Sequence, residues 1–274
     1  MSKDEAHSPG ERTSDEGLRA SLARARDDVN DLGGWQAFRS GEWLLSLVRQ
    51  SFRAYFERAD VGYFRAKYPG KDDAFIAAKL LKIAASNASI VGALTGAAVS
   101  ADEIVALATG GEGGVGLPAN VAIAATAIAA ESLLVVRIQL QLVAELARLE
   151  GVPLDLDDPE DVLTILAFAL GGAASEVASK VGMKVGKHLA ANAVRRHVRN
   201  SALELLKQIG RQVGIKILQR NIVKYAVPGV SIAVGAAWNY KSTQAVGRIA
   251  QKHFRERRVE TDGVGDLTDD AAVA

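Results

Sequence analysis

The 274 residues are 49% apolar and 24% charged, with 33 basic and 32 acidic side chains, a balance of +1 that is ordinary for a globular protein. No cysteine is present, which excludes disulfides, thiolate metal sites and cysteine nucleophiles. The first residues, MSKDEAHSPGERTSDEG, put acids where a secretory leader needs a basic and then an apolar run, so the expectation is a cytoplasmic protein.

Residues 1–31 are charged and poor in large apolar side chains, and composition predicts a disordered tail. Residues 35–70 differ. Nine of the 15 aromatics lie there: Trp35, Phe38, Trp43, Phe52, Tyr55, Phe56, Tyr63, Phe64 and Tyr68. Leu44, Val48, Phe52 and Tyr55 keep the spacing of one helix face. That face fits either a helix clamped on the core or one meeting a membrane interface, where Trp and Tyr are favoured.

After Pro69-Gly70 a helix should begin near 71–74 and run to about 98, growing smaller-sided as it goes. Ser100 and Glu103 have capping-box spacing, so a short helix should follow and stop at Gly110-Gly111. The loop GGEGG (110–114) has no preceding strand and no following Lys-Ser/Thr, and Glu112 would repel an anion, so it reads as a connector rather than a phosphate cradle.

The central element is 117–151. Pro118 suits a first helical position, Gly151 suits the residue past the end, and no Gly or Pro lies between. Residues 119–130 carry no charge, so that half is apolar on every side and requires burial. Glu131 is then an ionisable group inside the core, in need of a polar gap or a cation from another helix; a site carboxylate is the sharper alternative.

Asp158, Pro159, Glu160 and Asp161 start another helix that ends at Gly171-Gly172. Helices at 173–199 and 201–223 follow. After the break at Pro228-Gly229 a last helix runs from about 230 to 257, with a disordered acidic tail over 259–274. No alternating strand pattern appears. The charge-free runs 83–101, 113–130 and 225–240 are diluted by small and polar residues and fall short of the roughly 20 apolar residues of a membrane span. The prediction is one all-α bundle over 35–258, built round a buried Ala-rich helix.

Charge is segregated along the chain. Residues 180–224 hold eleven bases against Glu204, and Lys207, Arg211, Lys216, Arg220 and Lys224 keep helical register, with Lys184 and Lys187 upstream. A basic amphipathic helix of this kind fits a solvated face paired with the acidic half, or an anionic membrane surface. Nucleic acid is disfavoured because no aromatic interrupts the stretch before Tyr225. Gly92 with Gly96, Gly182 with Gly186 and Gly210 with Gly214 permit close helix contacts. The four histidines show no metal-binding spacing and no nucleophile motif is present, so no cofactor, metal or catalytic residue is assigned.

The stretch AVPGVSIAVGAAWNYKSTQAVGRIAQKHFRER (226–257) resembles the C-terminal signature of the EcsC family through Pro228, Gly229, Gly235, Asn239, Val246, Ala250, His253 and Phe254. The stretches at 100–114 and 157–172 agree with it, so the resemblance spans about 71–257. It implies a bacterial protein named for the third gene beside an ABC-transporter pair, and it implies no reaction. Physically, Gly235 permits close approach, Phe254 anchors the last helix, and His253 reads as a packing or surface histidine before it reads as a base. The expected function is therefore non-enzymatic: peripheral attachment to the inner membrane face, with an anionic lipid surface and a membrane-transport protein as partners. The alternative is a binder of a long apolar ligand along Ala122, Ala125, Ala129 and Leu133. The sequence sets no oligomeric state.

Overall fold

The computed structural model describes residues 14–31, 61–98, 119–154, 161, 165, 168, 211 and 231–269, with the side chains of 98, 119–123, 231 and 260–269 excepted. The described residues form an all-α fold of five helices without a strand: α1 Asp15–Asp31, α2 Val61–Lys67, α3 Asp73–Ala98, α4 Ala119–Leu149 and α5 Ser231–Asp269.

Local chemistry sets the helix ends. The Asp72 carboxylate accepts the Phe75 N–H at 2.8 Å, capping α3. Gly151, at φ +72°, closes α4: its N–H reaches Arg148 O and the Val152 N–H reaches Ala147 O, the paired bonds of a Schellman cap. Val152 is buried beside that cap.

α4 is the axis of the bundle. From Ala127 through Val136 every side chain is buried, so neighbours surround the helix as its predominantly apolar sequence demands. The stretches Asp73–Ala97 and Ala124–Leu149 are both long and apolar enough to cross a membrane; 83% of the most apolar window of the second lies buried in the protein. α3 packs mainly on α5 and then on α4, while α1 seats chiefly on α4. α3 runs antiparallel to α5, since Gly92 meets Gly235 at one end and Leu81 meets Gly247 at the other. α4 and α5 run parallel, with Glu131 beside Asn239 and Glu150 beside Arg255.

Two sequence expectations need correction. Residues 15–31 are not a disordered tail: Leu18, Leu22, Ala25 and Val29 line one side of α1, and all but Leu22 are fully buried. Ser14 caps the helix, accepting the Gly17 N–H at 3.1 Å. Averaged composition hides four well-spaced apolar residues among many charges. The acidic tail over 259–274 does not begin in coil either, because the α5 backbone stays helical to Asp269. Extending a helix already nucleated by a packed body avoids the nucleation cost.

Candidate functional site

Two polar arrangements are built on the α4–α5 seam, and a third feature lies on the outward side of α5. The first lies in the buried upper half of the seam. Glu131 is 1% exposed and its carboxylate accepts a hydrogen bond from Asn239 Nδ2 at 2.7 Å. Two turns further along, Gln139 Nε2 donates to Thr243 Oγ1 at 3.1 Å. α3 crosses here so closely that a Cβ on Gly92 would stand 2.5 Å from Gly235 O and 2.6 Å from Asn239 Nδ2. Gly92 and Gly235 thus bring two backbones together, and the contact holds the Asn239 amide against Glu131.

The second lies at the lower end. Glu150, 3% exposed, accepts from Arg255 Nε at 2.9 Å with Arg258 at 3.7 Å, and Arg257 donates to buried Asp161 at 2.6 Å. His253 is half-buried, its ring 5.1 Å from that of Phe168, and Phe254 is fully buried beside both. Glu145 is buried on α4, and that burial pushes its carboxyl up from 4.5 to about 7 despite the hydrogen bond from Gln141. Among the described residues, no group of His, Asp and Glu has the geometry to hold a metal ion.

The third faces solvent. Trp238, Lys241, Ala245, Arg248, Ile249 and Lys252 repeat at three- and four-residue intervals along the outward side of α5, and all are exposed. Trp238 is 47%, Ile249 56% and Val259, a further two turns on, 67% exposed. Among the described residues the ion pair on this stripe is Lys252 with Glu256 at 3.8 Å; both side chains are exposed, so it contributes little. Large apolar side chains interleaved with cations are an uncommon use of a solvated helix face. They form a surface complementary to something apolar and anionic.

Residues 122–259 match the model of the EcsC protein family. The chain belongs to the EcsC family. The match starts at 122 and not at 71, so the 100–114 stretch and all of α3 lie outside it. Glu131, Asn239, Gly235, His253 and Phe254 lie inside it, on the seam just described. No curated protein and no solved structure matches the chain.

Among the cations singled out from the sequence, Arg211 is helical and exposed. Lys184, Lys187, Lys207, Lys216, Arg220 and Lys224 lie outside the described residues, as do Pro228, Gly229 and the aromatics from Trp35 to Phe56. Of the aromatic segment, Phe64 is buried and Tyr63 and Tyr68 are half-buried against the core. The outward stripe of α5 escaped the sequence reading, which took 226–257 as signature positions. The spacing of Trp238, Lys241, Ala245, Arg248 and Lys252 was the available signal.

Proposed function

We propose that this EcsC-family chain is a non-catalytic protein that attaches peripherally to an anionic membrane surface, through the outward side of α5 together with the cations of 184–224. The observation that carries it is the exposed stripe of Trp238, Ile249 and Val259 interleaved with Lys241, Arg248 and Lys252. Each such cation contributes ~1 kcal/mol near an anionic surface, so these three supply about 3 kcal/mol. Partial insertion of Trp238 and Ile249 adds ~1 kcal/mol each, below the 1.5–3 of full burial. That sum describes weak, reversible attachment, comparable to a single acyl anchor. The family resemblance supports a role beside a transport or secretion system of the cytoplasmic membrane.

Sedimentation with vesicles of phosphatidylcholine, with and without 30% phosphatidylserine, tests this. Wild-type protein should pellet with the anionic vesicles alone. Lys241→Glu/Arg248→Glu/Lys252→Glu should abolish pelleting, and Lys216→Glu/Arg220→Glu/Lys224→Glu should weaken it. Equal partitioning of wild type and both triple variants would remove the reading.

A further inference from the structure

α4 carries a cation directly after an apolar run. Arg137 follows Leu134, Val135 and Val136, and its side chain is 17% exposed. Its counter-ion comes from α1: Arg137 Nη2 donates to Asp28 Oδ2 at 2.7 Å, across 109 residues of chain. The fit around that pair is loose. A cleft of about 340 Å³ opens between the two helices, lined by Ser21, Arg24, Asp27, Asp28, Leu134 and Arg137. Arg137 Nε is buried without a hydrogen-bond partner among the described residues.

The apolar seat of α1 is small. Its fully buried apolar contacts are Leu18, Ala25 and Val29. The remainder of its sequence is dominated by Arg, Asp and Glu. A helix with so small an apolar footprint, joined to α4 among the described residues by a half-exposed ion pair, belongs to the low-stability end of a structure, where local opening precedes global unfolding.

We infer that α1 is a releasable cover, and that its departure exposes a second contact for an anionic bilayer on α4, centred on Leu134 and Arg137. This rests on the reading that the protein meets such a bilayer. With α1 seated, Asp28 neutralises Arg137 and the helix hides the apolar residues around it. With α1 gone, Arg137 stands as an unneutralised guanidinium among Leu134 and Ile138, the same mixture of cation and apolar side chain as the outward stripe of α5. An anionic headgroup replaces Asp28, and the neighbouring aliphatic side chains meet the acyl boundary. Attachment and uncovering are then linked, because a surface that binds the open form draws α1 off.

The test uses the full chain and reads α1 amide exchange together with binding to vesicles of 70% phosphatidylcholine and 30% phosphatidylserine. Leu18→Asp destabilises the seat of α1 while making the chain more negative, which on charge alone would weaken binding. It should free the α1 amides, leave α4 and α5 protected, and raise the association constant about fivefold, the effect of one further cation at such a surface. Arg137→Gln in that background should abolish the gain. Asp28→Asn is the milder variant should Leu18→Asp unfold the body, with Asp27→Asn as its charge-matched control: only Asp28→Asn should free α1 and strengthen binding beyond the control.

Freed α1 amides with no gain in binding would overturn the inference while leaving the α5 reading intact, and an equal gain on neutral vesicles would overturn it too. The converse separates as well. A gain from Leu18→Asp that persists in the Lys241→Glu/Arg248→Glu/Lys252→Glu background supports this surface, even if wild-type protein fails to bind.

Discussion

Replacing Gly92 by Ala should destabilise the bundle by about 3 kcal/mol, although the same change in an ordinary helix interior stabilises by ~1 kcal/mol. The magnitude follows from what the new methyl group would meet. A Cβ there stands 2.5 Å from Gly235 O and 2.7 Å from Gly235 C, both backbone atoms of α5 that cannot turn aside. Opening α3 from α5 enough to admit it is an overpacking cost of ~1–3 kcal/mol. The same Cβ stands 2.6 Å from Asn239 Nδ2, the donor to Glu131. Pushing that amide away leaves a buried carboxylate short of a hydrogen bond, a further ~1–3 kcal/mol. Subtracting the helix-propensity gain leaves about 3 kcal/mol, equivalent to a fall in Tm of roughly 6–12 °C for a body of this size. Calorimetry and urea unfolding followed by circular dichroism would measure it. An unchanged or higher Tm would mean that intrinsic propensity wins and that α3 and α5 do not cross at this glycine.

Gly247→Ala is the informative contrast, because its Cβ would meet Leu81 Cγ at 2.8 Å and Leu142 Cδ2 at 2.9 Å, side chains that can rotate away. It should stay within about 1 kcal/mol of wild type by urea midpoint. Glu145→Gln should change the pH dependence of stability. The folded carboxyl titrates at about 7 against 4.5 in the ordinary state, so the native protein holds a proton that the unfolded chain releases. Wild-type stability therefore falls as pH rises from 4.5 to 7, by about 3 kcal/mol for this group. The variant should match wild type near pH 4.5 and exceed it at pH 8; parallel unfolding profiles would refute the assignment. Arg255→Ala combined with Arg258→Ala should cost about 2–3 kcal/mol by leaving buried Glu150 without its counter-ions, whereas either change alone should cost less.

Much of the architecture was legible from short-range chemistry. The all-α class, the buried rod between Pro118 and Gly151, and the helix from Asp73 to Ala98 follow from periodicity, caps and breakers that act within a few residues. The close approach permitted by Gly235 was legible for the same reason, since a glycine in a helix signals what a side chain would obstruct. The outward stripe of α5 was equally local in its spacing, but knowing which side faces solvent required knowing where α3 and α4 lie.

What tertiary structure alone decided is pairing. Arg137 lies six residues after Glu131, and at 3.6 residues per turn that places the two about 120° apart round the helix, so they cannot meet. Glu131 takes the Asn239 amide from α5, and Arg137 takes Asp28 from a helix that composition had written off as a tail. Periodicity says which residues share a face. Which face another helix covers depends on contacts more than a hundred residues away in the chain, and those are set by how the helices fill space against one another.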